Sequence, residues 1–508
     1  MIKATGKKSF SSRFFGAIEK AGNALPHPAA LFGIFGIITI LLSAMGYLLE
    51  WKGINPATGV TVETVNLLSR EGVHRILLEM VNNYTGFAPL GIVMVAMLGI
   101  GVAESSGLIK AAINALLLRA PGSSVTFMIV LAGILSNMAS DLGYIVIIPM
   151  GGLIFHSLGR HPIAGMSAAF AGVSGGFSAN LFIGTIDPLL AGLSTEAARI
   201  IDPDYYVMPT ANYYFMAAST LVIAFTGTWV TRAWVEPRLG KYTGDVQQEP
   251  ISRLGRNEKK GLKWVLFTMF IWFLLFAAGL IPDNGFLRGA DNTVLHSPLL
   301  KGFISVLFLA ATSCGIVYGF IAGTFKKHND VFSGMAVSFK GMASFLVLVF
   351  FAAQFVAWFR WSNLGLLLAI KGAAWLKEID MGLIPLVILF TLFSGFINMF
   401  MGSASAKWAI LGPVFIPMFM LLGYSPELSQ AVFRIGDSVT NVISPMMSFF
   451  ALIIVYYQKY DEKAGIGTLI ATMLPYSVAF FFVWTLLMTI WILIGIPLGP
   501  ESGLYYIR

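Results

Sequence analysis

Charge is scarce in this chain: 11% of its residues are Asp, Glu, Lys or Arg, against roughly 25% in a soluble domain. That excludes an ordinary water-soluble enzyme. A single cysteine, Cys314, stands in 508 residues, so no intrachain disulfide can form and the redox compartment is left unmarked. No Cys/His spacing suits a metal ion, none of the six histidines falls in a His-Glu-x-x-His motif, and no Walker-type glycine loop for ATP is present. The 33 basic residues outnumber 25 acidic ones, but they lie in short segments between apolar runs. That distribution reports membrane topology and not nucleic-acid binding.

What the chain does have is hydrophobic length. Hydrophobic residues make up 57% of it, and runs such as 29–49, 264–281, 342–359 and 469–494 match the ~20 residues of a membrane crossing. The runs are continuous and not alternating, which excludes a lipid-facing β-barrel and leaves helices as the backbone solution. The expected fold is an all-α polytopic membrane protein with about nine transmembrane helices and additional apolar segments too interrupted to cross simply. Residues 1–27 read as a cytoplasmic, retained N-terminal segment, in which Phe10, Phe14 and Ile18 fit either an interfacial amphipathic helix or a solvated tail. An N-terminal membrane half (28–235), a cytoplasmic loop (236–262), a second membrane half (263–498) and an outside tail (499–508) follow. Basic segments around 232–263, 326–327 and 459–463 are expected on the cytoplasmic side. The segments 52–84 and 194–212 and the tail carry no such excess and are expected outside.

The interrupted segments come as a pair, SNMASDLGYIVIIPMGGLIFHSLGRHP at 136–162 and INMFMGSASAKWAILGPVFIPMFMLLGYSP at 397–426. Asn137-Met138 aligns with Asn398-Met399; after a three-residue insertion Tyr144 aligns with Trp408, Pro149 with Pro413 and Pro162 with Pro426. Each is followed by a further broken span, at 175–190 and 434–447. The turn at Arg160-His161 is basic whereas that at Tyr424-Ser425 is not, so the two units have opposite orientation. Re-entrant hairpins at about 136–158 and 397–422 in inverted repeats, with broken helices at a midplane site, are the sequence pattern of a secondary transporter.

Charged residues inside apolar segments persist only where they face protein or a water-filled cavity. Asp141, Asp187, Arg434 and Asp437 are the candidates. Arg434 and Asp437, three apart, could form an ion pair on one helix face, or Arg434 could meet an anionic substrate while Asp437 binds a cation or proton. Asp187 precedes Pro188, which frees backbone carbonyls as cation ligands; it could equally cap the following helix. Asp141 is read as a hairpin cap or a ligand. Asn137, Asn180, Asn398 and Asn441 offer oxygens suited to Na+ or satisfy loose backbone groups. Small residues and hydroxyls at Ser403 and Ser405 suit a hairpin tip, and Trp408 could stack on an aromatic substrate or face lipid. Pro413, Pro417, Pro426 and Pro445 are expected to break helices.

These residues, together with Pro26-His27-Pro28, Gly86-Phe87-Ala88-Pro89-Leu90-Gly91, Ser194-Thr195-Glu196-Ala197-Ala198, Glu236-Pro237-Arg238-Leu239-Gly240 and Phe433-Arg434-Ile435-Gly436-Asp437-Ser438, resemble the AbgT family of p-aminobenzoyl-glutamate transporters along nearly the whole chain. The resemblance implies a homodimeric inner-membrane carrier with nine transmembrane helices, two hairpins and a cytoplasm-facing aqueous bowl. It implies uptake of p-aminobenzoyl-glutamate or export of sulfonamide antimetabolites. It carries functional roles onto Asp187, Asn398, Ser405, Trp408, Pro426, Arg434, Asp437 and Pro445. The first hairpin departs from the family pattern at Ala139-Ser140-Asp141. A small anionic aromatic substrate and the lipid bilayer are the expected partners; Na+ or H+ is the expected coupling ion, and no other cofactor is. An intramembrane aspartyl protease using Asp187 and Asp437, and a channel, are the competing readings.

Overall fold

The computed structural model describes residues 26, 28–55, 59–118, 124–138, 143–244, 246, 254–290, 292 and 297–506. The N-terminal segment with Phe10, Phe14 and Ile18 and the first-hairpin residue Asp141 lie outside them. Among the described residues the fold is helical apart from one small antiparallel pair of strands, β1 (Lys52–Ile54) and β2 (Thr61–Glu63), with Lys52 opposite Glu63. Eight helices are long and apolar enough to cross a membrane, among the described residues, and three shorter apolar helices accompany them.

The chain runs through α1 (Pro28–Leu48), α2 (Arg70–Thr85), α3 (Ala88–Ser105) and α4 (Leu108–Leu118) before the first interrupted unit. That unit consists of α5 (Val125–Ser136), α6 (Gly143–Ser157), α7 (Pro162–Phe170, continued by a π turn at Ala171–Gly175) and, after an irregular stretch, α8 (Ile186–Ala198). Long α9 (Tyr213–Leu239) and α10 (Arg256–Leu280) lead to α11 (Phe303–Ala322), α12 (His328–Gly341), α13 (Ala343–Trp361) and α14 (Leu364–Glu378). The second unit repeats the first: α15 (Leu383–Asn398), α16 (Ala404–Leu421), α17 (Pro426–Asn441) and α18 (Phe450–Gln458), closed by α19 (Ile466–Ile494).

Each hairpin therefore begins earlier than the sequence suggested. The first arms are α5 and α15, and the segments at 136–158 and 397–422 hold only the tips and second arms. Within hairpin 2 the arms are joined by aromatic packing of Phe390 and Phe393 on Phe415 and Phe419. Pro413 and Pro417 do not break this hairpin; both lie inside α16. A membrane helix accommodates proline where neighbouring helices re-satisfy the carbonyls it frees. Pro426 likewise starts α17, at a position where its missing N–H would have no helical partner anyway.

The repeat is visible in a contact that the sequence register predicts. With the three-residue insertion at the tip, Val130 aligns with Thr391 and Gly172 with Gly436. A Cβ at Gly172 would collide with the Val130 carbonyl oxygen, and a Cβ at Gly436 with the Thr391 carbonyl oxygen. Glycine is required at both places because the broken helix crosses the first hairpin arm at backbone distance. The units also exchange partners. Trp408 on α16 donates to Ser194 on α8, while Tyr144 on α6 stacks on Phe449 at 4.5 Å, just ahead of α18, and Ser167 on α7 bonds Tyr457 on α18.

Loop contacts gather at the two ends of the molecule. At one end Arg160 makes a bidentate 2.7 Å ion pair with Glu236, and His156, His161 and Tyr460 pack edge-on around Tyr242. At the other, the tail lies over the α16–α17 turn: Tyr506 N–H donates to the Gly423 carbonyl and Ser425 N–H to that of Leu504. Tyr506 also reaches Asp202. The contacts thus join 156–161 to 236–242 and 460, and 423–425 and 202 to the tail.

Candidate substrate and cation site

Two breaks bring the polar residues of both units to one place. After α7 the chain runs irregularly from Gly176 to Thr185 and re-forms as α8, with Asp187 in its first turn. Pro188 is tolerated there because first-turn N–H groups need no intrahelical acceptor. Asp187 accepts from Gly184 N–H at 2.7 Å, so it caps the break and also benefits from the helix N-terminus. After α17 the chain is irregular from Val442 to Phe449, with Pro445 inside that stretch. The breaks touch where Ser178 N–H donates to Ser438 Oγ at 3.1 Å.

The charges at this crossing are sealed from solvent and paired across elements. Arg434 Nη2 lies 2.7 Å from Asp187 Oδ1, and Asp437 pairs with Lys407 of α16. This rules out one of the two alternatives, that Arg434 and Asp437 pair with each other. Spacing puts them on one face of α17, but one looks toward the start of α8 and the other into hairpin 2. A buried charge without a partner costs several kcal/mol, about 3–5 when one member of a pair is removed; two such pairs leave the crossing neutral. Beside Arg434 lies a void of about 10 Å³, lined by Ser178, Asn212, Met216 and Trp484 among others, at the lower limit of the space one water needs.

Hairpin 2 completes the second pair. Asn398, at the end of α15, donates to the Asp437 carbonyl at 2.8 Å, to Thr440 Oγ1 at 2.9 Å and to Asn441 Oδ1 at 2.8 Å. Its own Oδ1 accepts from Lys407, and Ser444 donates to its backbone carbonyl at 2.9 Å. Three donations exceed what one NH₂ supplies linearly, so they are alternatives in a shared cluster. Ser403 caps α16 through Ala406 N–H and lies 3.3 Å from Ser405 Oγ; both serines are partly exposed at the unwound tip.

The first unit's amides do less. Asn137 and Asn180 both donate to the Ile134 carbonyl, at 3.1 and 3.2 Å, satisfying a helix end. Of the predicted residues, then, Asp187, Asn398, Arg434, Asp437 and Asn441 come together, Ser403 and Ser405 border them, and Asn137 and Asn180 brace hairpin 1. Trp408 is fully buried, stacked on Phe433 at 4.5 Å, with its N–H on Ser194 at 2.8 Å. From Ser194 a chain of buried bonds runs through Gln430 and Asn212 to Glu427, whose carboxylate accepts from Tyr205. Lys407 and this chain escaped the sequence reading. A lysine inside an apolar segment meets the same criterion as the other intramembrane charges, and that criterion is the signal that points to it.

Inverted hairpins and broken helices that enclose paired charges within a helical membrane protein define a polytopic membrane carrier. Comparison with known proteins agrees. The chain belongs to the AbgT putative transporter family, whose model matches residues 13–506. It is 38% identical over 502 residues to the p-aminobenzoyl-glutamate transport protein of Escherichia coli K12, covering 98% of this chain and 97% of that one. Its fold is similar to the YdaH transporter of Alcanivorax borkumensis, described as having an unusual topology (TM-score 0.89, 46% identity, 94% of this chain and 100% of that one). It is also similar to Neisseria gonorrhoeae MtrF, described within a class of antimetabolite efflux pumps (TM-score 0.91, 48% identity, 97% and 100%). The protein is a multi-pass membrane transporter and not an enzyme.

Proposed function

We propose that the protein is an ion-coupled secondary transporter of p-aminobenzoyl-glutamate or closely related anionic aromatic amides. The observation that carries this reading is the Arg434–Asp187 pair at the crossing of the two breaks. A substrate carboxylate can take the place of Asp187 on the guanidinium, gaining a charge-assisted and geometrically specific contact. Ser403 and Ser405 at the hairpin tip would orient the amide, and Trp408 would meet the aryl ring once it parts from Phe433. Asp437, Asn398 and Asn441 supply a carboxylate and two amide oxygens, hard ligands suited to Na+ or, at the carboxylate alone, to H+. Asp187 would bind the coupling cation once substrate has displaced it, with Asn137 and Asn180 holding the first hairpin at the site.

The two hairpins and two broken helices would move as a core, by an elevator or rocking step, past a scaffold of the remaining spans. Exposed Trp264, Phe267, Phe270 and Phe273 on α10 suit lipid or the partner of a homodimer. The loop charges support an inner-membrane orientation with the N-terminus and the Arg160 end cytoplasmic. Sulfonamide or antimetabolite export driven by the proton motive force is the second reading, favoured by the 48% identity to MtrF.

Reconstitution into proteoliposomes tests the proposal. Saturable counterflow of labelled p-aminobenzoyl-glutamate, lost in Arg434→Ala at normal folded yield, is the expected result; unsaturable flux in the wild type, or an unaffected variant, contradicts it. Imposing Na+ and pH gradients separately identifies the coupling ion.

A further inference from the structure

Lys407 is the residue at the crossing that the transport reading leaves without a task. Its side chain is wholly buried, a rare state for lysine, and one in which a paired partner is required. Nothing in a membrane helix calls for that cost: a methionine of similar volume would fill the same space, and an apolar replacement of a whole buried pair is often neutral or stabilising. The ammonium is placed against two oxygens, Asp437 Oδ1 and Asn398 Oδ1, which lie on two different elements, α17 and the end of α15. Asn441, which accepts from Asn398 and approaches Asp437 Oδ2 at 3.5 Å, completes the cluster. This is an oxygen cage around a single positive charge, and the charge is on a flexible four-carbon stem rooted four residues past the partly exposed, unwound tip residue Ser403.

We infer that Lys407 is a tethered cation: its Nζ and a free monovalent cation compete for the Asp437–Asn398 oxygens, one occupying the cage only when the other has left. Charge counting supports the exclusion. Arg434 with Asp187 and Lys407 with Asp437 make two positive and two negative groups, so a free cation admitted beside the resident ammonium would leave an uncompensated buried charge. The stem also gives the exchange a mechanical meaning. Lys407 belongs to α16 and Asp437 to α17, so displacing the ammonium uncouples the second arm of hairpin 2 from the broken helix, and its return joins them again. The empty carrier keeps its cage closed with its own lysine. No proton transfer and no change of ionisation is needed; the ammonium stays charged and moves.

The inference rests on reading the crossing as a cation-coupled transport site, but its test uses no organic substrate, so its failure and a failure of p-aminobenzoyl-glutamate counterflow are separate results. Purified wild type, Lys407→Met and Lys407→Met/Asp437→Asn are melted at one pH and one ionic strength, with NaCl, LiCl or KCl replacing choline chloride. Lys407→Met vacates the cage, so its melting temperature should rise with at least one alkali cation by about 3–5 °C at saturation. The wild type, whose own ammonium competes, should need a higher cation concentration for that rise, and the double variant should show none. Equilibrium binding of ²²Na+ gives the parallel readout, with at least tenfold more retained by Lys407→Met than by the other two. Equal cation response in all three proteins, or none in Lys407→Met while the double variant melts normally, overturns the inference and makes Lys407–Asp437 a fixed strut. If Lys407→Met does not fold, Lys407→Gln is used, and the same two outcomes decide.

Discussion

The two repeat units share a backbone and differ in chemistry. In the register that places Gly172 on Gly436 and Ser174 on Ser438, Phe170, Val173 and Gly143 stand where the second unit has Arg434, Asp437 and Lys407. The equivalent neighbours still touch: a Cβ at Gly143 would meet the Val173 side chain at 2.7 Å, just as Lys407 meets Asp437. Unit one therefore fills with an apolar contact the place where unit two holds an ion pair. Its own contribution to the charged crossing is Asp187, in the first turn of the helix beyond its break. Inverted symmetry builds the crossing, and the loss of symmetry in side chains makes one half a brace and the other a candidate ligand cage.

The largest expected effect comes from unpairing the second unit. Asp437→Val leaves the Lys407 ammonium buried without a counter-charge and should cost about 3–5 kcal/mol, read as a sharp loss of thermal stability in detergent. Adding Lys407→Met, which installs an apolar pair of the unit-one kind, should recover most of that stability while counterflow stays lost. Failure of the double variant to recover would break the comparison, since the charge pair would then be needed for packing.

Next come the matched glycines. Gly172→Leu and Gly436→Leu each drive a side chain into a facing carbonyl, and each should destabilise by about 1–3 kcal/mol or more through overpacking. Similar losses in the two variants, measured by melting, are expected from the shared backbone; a tolerated Gly436→Leu beside a severe Gly172→Leu would deny the repeat. Ser194→Ala, which leaves both the Trp408 N–H and Gln430 Oε1 without a partner, should cost about 1–3 kcal/mol. The smallest effect is expected at the tip, where Ser403→Ala removes the cap of α16 for about 1 kcal/mol, with Ser403→Asn restoring it.

Much of this was legible in the sequence because membrane physics exposes it. Continuous apolar runs, charges inside them, and the paired Asn-Met tips marked the helical class, the interrupted units and most of the residues at the crossing. The rest depended on facts that spacing does not carry. Arg434 and Asp437 are three residues apart, yet their partners come from α8 and α16. Pro413 and Pro417 looked like breaks, but a membrane helix packed on both sides absorbs them. Trp408 showed an aromatic ring but not that Phe433 covers it. Lys407 is as visible as Asp437 by the rule that intramembrane charge has a function, but the small residues around it point equally to close packing.

The central claim is that Arg434 at the crossing receives the substrate carboxylate, and equilibrium binding to purified protein tests it most directly. For Arg434→Gln, affinity for p-aminobenzoyl-glutamate should fall at least tenfold, the loss of about 1.5–3 kcal/mol expected of one charge-assisted contact, while affinity for carboxylate-free p-aminobenzamide holds. Equal losses for the two ligands, or none for either, would contradict the account.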